Sequence, residues 1–370
     1  MEKTMIRKKS PRPSAASATI TTIAVLALFL AGCDRGTVGI FASIEREEKT
    51  IQSNLPKDQT VTGFTEADGA YFVAIGPRIW RRSTTDVGDE PWDTIPVPTG
   101  AGEYVAAGVA SSGSIVVAAF VGEAGSVIAV RDAADESNEW EWATANLVGQ
   151  VDTLLSAGDA VFVVENRTGV GHFFHHVNLT DADDPTTDEL ALPGQQPRVL
   201  DATFDGTTYR FVTSNAVLSS AEPNVAPTVV ATAPGGITNI GGIAVTEDGT
   251  LVVSSDVVSS DSAGKVAYST DGGTSWTESG VAADVRFPSV AVIGDTVYLG
   301  ARRGVYTLPV TGLEGTPAVA TGQAYESAAL RNASVLGGFF EASDEDIFIL
   351  TNKGLWRRNV DDDSVSWIWE

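Results

Sequence analysis

Seven times along the chain a short turn is followed at once by a strand-length apolar run, and this repetition constrains the fold more than any other feature. Asp68-Gly69 precedes AYFVAIG, Ser112-Gly113 precedes SIVVAAF, and Gly158-Asp159 precedes AVFVVEN. Asp205-Gly206 then leads into TTYRFVT, Asp248-Gly249 into TLVVSSD, Gly294-Asp295 into TVYLGAR and Asp344-Glu345 into DIFILTN. From Gly69 to Glu345 is 276 residues over six intervals, about 46 each, which lies in the range of about 40 to 50 for a propeller blade. Runs this short, separated by turn residues and without a 3.6-residue period, read as β-strands.

A second series interleaves with the first without a miss: PRIWRRS, GSVIAVR, GHFFHHV, NAVLSSA, GKVAYST, GVYTLPV and GLWRRNV. Each repeat then reads as four strands: an inner strand A, a turn, the apolar strand B, a loop, strand C, and a tight turn into strand D. The fold class expected is all-β, a seven-bladed β-propeller of four-stranded antiparallel blades over residues 57–370. GIFASIE, Gly39 to Glu45, imitates a C strand without A and B strands before it. Residues 33–56 are therefore expected to be a tether or an extra edge strand covering the seam between first and last blades.

The most specific local motif falls between C and D of the fifth repeat, where STDGGTSW runs from Ser269 to Trp276. Asp271 is suited to accept hydrogen bonds from turn amides, Gly273 to supply a positive φ, and Trp276 to pack its ring beneath the sheet. Weaker copies keep the same Asp-to-Trp spacing at Asp135/Trp140 and Asp362/Trp367, with a stretched one at Asp86/Trp92. On these residues the chain resembles the Asp-box (BNR-type) β-propellers, the class that contains sialidases, sortilin-like receptors and photosystem assembly lipoproteins. The resemblance implies a fold and leaves the activity open.

The N-terminus gives an address. Lys3, Arg7, Lys8, Lys9 and Arg12 precede a mainly apolar run from Ile20 to Ala31, the length of a signal-peptide core and too short to span a bilayer. Leu30-Ala31-Gly32-Cys33 resembles the lipobox of bacterial lipoproteins. That likeness implies a signal peptide over residues 1–32 and diacylglycerol on Cys33, the only cysteine of the chain. The protein is thus expected in the bacterial cell envelope, lipid-anchored and either periplasmic or surface-exposed. Of 24 basic and 48 acidic residues, the five basic ones above and Glu2 lie in that segment, leaving 19 against 47, a net charge of minus 28. Such a field repels a phosphate backbone, so no nucleic-acid partner is expected.

Ligands of propellers gather where the B-to-C and D-to-A connections surround the channel mouth. Arg78, Arg167, Lys265, Arg302, Arg303 and Lys353 fall in or beside B-to-C connections, and Lys57, Arg198, Arg286 and Arg331 in D-to-A connections. The opposite face receives Glu66, Asp68, Asp86, Asp135, Asp183, Asp184, Asp248, Asp271, Asp295 and Asp361 to Asp363, so an electrically polarised body is expected. Arg198 and Arg286 occupy equivalent places, eight residues before Gly206 and Gly294. With Arg331, Arg302 and Arg78 they are the candidate ligand-binding residues, either as a pocket for a carboxylate or acidic glycan or as solvated residues balancing nearby acids.

Catalytic machinery is not recognisable. Arg286-Phe287-Pro288 is faintly similar to the Arg-Ile-Pro motif of sialidases but stands late in the chain, with no Tyr/Glu nucleophile pair to match it. With 47 acidic residues beyond the signal segment, any pair of glycosidase carboxylates can be found by chance. The three histidines share one strand, His172 and His176 on one face and His175 on the other, so no metal site is expected. Nor do the acidic runs at Asp181 to Asp184 and Asp361 to Asp363 have the spacing of a calcium loop. The expectation is a monomeric, cofactor-free body that binds a protein or glycan partner without catalysis; the alternative is an exported carbohydrate-active enzyme.

Overall fold

The computed structural model describes residues 54–86, 91–96, 104–123, 125–134, 140–143, 147–181, 185–194, 196–257, 263–302, 304–320, 330, 333–341, 346–359 and 367–370. All lie in one compact unit, Gln52–Glu370. Cys33 and the GIFASIE segment lie outside the described residues.

Seven antiparallel four-stranded sheets follow one another along the chain, each in the order A-B-C-D. Blade 1 is Val61–Ala67, Ala70–Ile75, Arg78–Ser83 and Asp93–Ile95; blade 2 is Val105–Ser112, Ile115–Gly122, Gly125–Asp132 and Glu141–Trp142. Blade 3 is Gln150–Ala157, Ala160–Arg167, Gly171–Asn178 and Thr186–Leu190; blade 4 is Asp201–Phe204, Tyr209–Val212, Ala216–Ser220 and Thr228–Thr232. Blade 5 is Ile240–Val245, Leu251–Ser255, Val266–Ser269 and Thr277–Glu278, and beside it lies a ribbon of Ala263–Gly264 with Ala282–Ala283. Blade 6 is Ser289–Ile293, Thr296–Ala301, Gly304–Pro309 and Ala318–Val319; blade 7 is Val335–Glu341, Asp346–Thr351, Gly354–Asn359 and Ile368–Trp369. Both series of apolar runs fall where expected, the first on every B strand and the second on every C strand. The chain forms the seven-bladed β-propeller.

The B strands are mainly apolar because both of their faces are covered by neighbouring blades. Every residue of Ala70–Ile75 is buried, as are Ala160 to Glu165. The large side chains Phe72, Phe120, Phe162, Phe211 and Phe348 are fully enclosed, each contributing roughly 1.5–3 kcal/mol of burial. The A strands obey a different constraint. Close to the axis, neighbouring backbones converge, so glycine stands where the next blade approaches: a Cβ on Gly63 would lie 2.5 Å from the amide nitrogen of Val109 in blade 2. The A strands of blades 1, 2, 3, 5 and 7 are bulged at this level.

Connections differ from the sequence expectation in one respect. The B-to-C links are tight except in blade 5, where residues 256–265 intervene; in blade 1 the link is Gly76 and Pro77, whereas C-to-D links are long, residues 84–92 in blade 1 and 221–227 in blade 4. The reason is visible at the C-strand ends. Arg82, Arg131 and Arg358 occupy the same register of blades 1, 2 and 7 and are almost wholly buried. Their guanidinium carbons lie over Trp92, Trp140 and Trp367, 4.4, 5.7 and 6.0 Å from the ring centroids. Each tryptophan directly precedes strand D, so the link must travel far enough to fold its ring back over the arginine.

The ring closes between blades 7 and 1. Phe64 stacks on Phe348 at 4.6 Å and Tyr71 tilts against it at 5.1 Å, within one apolar cluster that also takes in Leu55, Trp80 and Leu355. Glu370, 5% exposed, adds a polar clasp. Its Oε2 accepts from Arg82 Nη1 at 2.6 Å and Trp92 Nε1 at 3.4 Å, while Oε1 accepts from Arg357 Nε at 2.6 Å.

Candidate functional site

In an antiparallel blade the B-to-C and D-to-A connections share one end. The described candidates Arg78, Arg198, Arg286 and Arg302 therefore lie on one face of the ring. Arg331 and Arg303 lie outside the described residues. Arg78, the first residue of its C strand, is exposed and sits over Trp80 at 6.0 Å. Arg302 is also exposed, and its carbonyl accepts from Ser334 Oγ at 3.5 Å.

Arg198 and Arg286 make matching contacts. Arg198 Nε lies 3.4 Å from Asp152 Oδ2, and Arg286 Nε lies 3.5 Å from Asp256 Oδ1. Each arginine lies three residues ahead of its own A strand and reaches back to an aspartate of the preceding blade. In both, Nε is the nitrogen nearest the carboxylate, at ion-pair distance. The face is accordingly less basic than the sequence suggested, since Asp152 and Asp256 stand on it beside the arginines. Asp152 was hard to foresee. The A-to-B register passes from Thr153↔Val164 to Val151↔Glu165, so Asp152 is the extra residue of a bulge, and a bulge re-aims its side chain. His172 joins it, with Nε2 3.2 Å from the same Oδ2.

Beneath this group lies a second polar network that the sequence reading missed. Glu165 is completely buried in the B strand of blade 3. It accepts from Val148 N at 2.6 Å, from Gly149 N, from Arg167 Nε and Nη2 at 3.1 and 2.9 Å, and contacts His175 Nε2 at 2.8 Å. Burial pushes its pKa upward, but the donors, Arg167 first, outweigh this and hold it below the usual carboxylate range. The network fixes the loop that carries Val148, 79% exposed, and Arg167 Nη2 continues to Glu189 at 2.9 Å. The one available signal was a glutamate inside the otherwise apolar run AVFVVEN.

Asp201 of the blade 4 A strand accepts from Ala202 N at 2.9 Å and, across the blade boundary, from Ile243 N at 3.0 Å. Burial raises its pKa from 3.8 to about 7, against the pull of those two amides. In the Ser269–Trp276 turn, Ser269 Oγ donates to Asp271 Oδ1 at 2.8 Å, Ser275 N donates to Oδ1 at 2.8 Å and Ser275 Oγ to Oδ2 at 2.6 Å. Gly273, at φ 99°, donates its N–H to Ser269 Oγ, and its carbonyl accepts from Trp276 Nε1 at 2.9 Å. Hydroxyl and amide donors from Ser275, then the Ser269 hydroxyl, lower the Asp271 pKa to about 2. Trp140 and Trp367 are buried under their arginines, while Asp135 and Asp362 lie outside the described residues.

The three histidines do not converge: His172 faces Asp152, His175 is buried on Glu165, and His176 lies opposite Asp188. Among the described residues no group of three or more His, Cys, Asp or Glu is placed to hold a metal ion. No described helix is long and apolar enough to cross a membrane.

These features define a seven-bladed β-propeller that carries arginine–aspartate pairs on one of its faces. No family model and no curated protein matches the chain. Solved structures do match it in fold. The extracellular domain of a putative one component system from B. thetaiotaomicron is similar at TM-score 0.59 and 11% identity; the match covers 81% of this chain and 38% of that one. YCF48 bound to D1 peptide is similar at TM-score 0.57 and 16% identity, over 83% of this chain and 94% of that one. The GH74 xyloglucanase from Xanthomonas campestris is similar at TM-score 0.58 and 12% identity, over 84% and 54% respectively. At such identities the likeness is one of fold.

Proposed function

We propose that the chain is a lipoprotein of the bacterial cell envelope, processed after Gly32 and anchored through Cys33, whose propeller is a non-catalytic platform for a protein or acidic glycan. The observation that carries this reading is the matched attitude of Arg198 and Arg286. In each, an aspartate of the preceding blade stands beside Nε and holds the guanidinium on this face by charge, where it can meet a carboxylate or sulfate. A fork held in position loses less entropy on binding than a free side chain, which favours recognition. Protein binding is supported by the likeness to YCF48, which is bound to D1 peptide. The Asp-box reading of the Ser269–Trp276 turn belongs to the same proposal and assigns that turn a structural role.

The test is affinity capture from solubilised native membranes with the lipidated wild-type protein and an Arg198→Ala/Arg286→Ala variant, with mass spectrometry of proteins and glycans. A species captured by wild type and lost by the variant is expected. Capture unaffected by the substitutions removes the arginine site, and turnover of sialyl or aryl-glycoside substrates would replace the platform by a carbohydrate-active enzyme.

A further inference from the structure

Val148 and Val170 are the two most exposed large apolar side chains among the described residues, at 79% and 66%. Both stand at the end of the ring that carries Arg198, Val148 in the link from blade 2 to blade 3 and Val170 in the B-to-C turn of blade 3. A series of close approaches joins them to the Arg198 loop. Gly149, next to Val148, lies so near blade 3 that a Cβ on it would meet the carbonyl of Asn166 and come within 3.1 Å of the Arg167 Cα. Val170 N donates to the Arg167 carbonyl at 2.9 Å. A Cβ on Gly171, next to Val170, would lie 3.2 Å from Oε1 of Gln196, two residues ahead of Arg198.

Val148 does not owe its exposure to a loose loop. The wholly buried Glu165 carboxylate accepts from Val148 N at 2.6 Å and from Gly149 N. A buried charge is costly to desolvate, and here its hydrogen bonds hold a valine out in water. Covering an apolar side chain that is already fixed releases its water at little further cost in entropy. Charge sets the sign of what covers it. Among the described residues the exposed lysines and arginines, Lys57, Arg78, Arg198 and Arg302, all lie in or beside B-to-C or D-to-A connections of a chain whose net charge is -24. Acidic groups are drawn to this end of the ring in preference to the other.

We propose that Val148, Val170 and Arg198 form a docking surface for an acidic protein segment in which a carboxylate adjoins an apolar side chain, the apolar group covering the valines and the carboxylate meeting Arg198. The proposal rests on the reading of Arg198 as ligand-facing and narrows the partner to a protein. Glycan hydroxyls laid on valine methyls would lose water without gaining a hydrogen bond, whereas an apolar side chain gives up none.

The probe is a phage-displayed library of random peptides, panned against the full-length lipidated protein in detergent micelles. Enriched peptides are then synthesised and titrated against wild type, Val148→Ser/Val170→Ser and Arg198→Ala/Arg286→Ala. Both valines are exposed and Glu165 holds backbone N–H groups, so the serine variant is expected to keep the wild-type melting temperature. Enriched peptides should pair Asp or Glu with an apolar residue and bind about tenfold or more weakly to each variant. In the free protein, amide exchange at Val148 and Gly149 should be slow; exchange as fast as in an open loop overturns the fixed valine. Peptides that bind the serine variant as tightly as wild type overturn the docking surface, and a loss confined to the arginine variant then spares the Arg198 reading. Equal binding to all three proteins overturns both. Enrichment of no peptide overturns the protein partner, and acidic glycans that bind wild type but not the arginine variant would still spare the Arg198 reading.

Discussion

Replacing Asp201 with Asn should stabilise the protein in neutral and alkaline solution. The carboxyl lies at the junction of the A strands of blades 4 and 5, where Ile243 N and Ala202 N donate to it and a Cβ on Gly242 would lie 2.8 Å from Oδ2. No charged side chain offsets its burial, and its pKa rises from 3.8 to about 7. The folded protein therefore keeps a proton that the unfolded chain releases. Stability is fully present below about pH 4 and is lost progressively as the pH rises towards 7. At about 1.4 kcal/mol per pH unit the ceiling of this loss is about 4 kcal/mol, and solvent, which reaches the half-buried Asp201, reduces it to about 2. Asn cannot ionise and keeps its oxygen for the Ile243 amide, while its NH2 replaces the oxygen facing the Ala202 N–H at a cost that does not vary with pH. Urea unfolding of both proteins at pH 4.5, 6 and 8 reads the difference directly. The advantage of Asn should grow from pH 4.5 to 8; a constant difference, or a variant less stable at pH 8, refutes the reasoning.

Further substitutions test the ring itself. Glu370→Ala leaves Arg82 buried without its carboxylate and should cost about 3–5 kcal/mol in urea unfolding, with hydrogen exchange rising first in blade 7; a loss below 1 kcal/mol would show that the apolar cluster closes the seam alone. Gly63→Ala should cost about 1–3 kcal/mol or more, because the new methyl meets the backbone of Val109 and no side chain can move aside; an unchanged melting temperature would contradict the close approach of blades 1 and 2. The turn at Asp271 contributes stability above pH 4 that is lost as the pH falls towards 2, so Asp271→Ala should flatten the acid limb of the stability profile. An acid limb identical to that of wild type would count against the hydrogen bonds assigned to this turn.

How much of this was legible depended on burial. B strands are enclosed on both faces, so they read as mainly apolar runs, and their spacing alone gave the blade number. A strands were not legible. Asp201–Phe204 and the Gly-containing Ile240–Val245 answer to backbone convergence at the axis, which no hydrophobic period records. Edge strands as short as Glu141–Trp142 leave little pattern either. The stacked arginines were visible in principle, since PRIWRRS, GSVIAVR and GLWRRN each carry an arginine in the last or next-to-last place, with a tryptophan following ahead of strand D. Arg198 and Arg286 were singled out by their equivalent spacing, and both stand beside an aspartate of the preceding blade. Their partners were not, because 48 acidic residues offer too many choices and Asp152 owes its direction to a bulge.

The central claim is that Arg198 and Arg286 recognise an acidic partner. A library of acidic glycans and acidic peptides, titrated against the wild-type propeller and the Arg198→Ala/Arg286→Ala variant at pH 6, tests it most directly. The account predicts ligands whose affinity drops at least tenfold in the variant. Ligands that bind both proteins equally would contradict it.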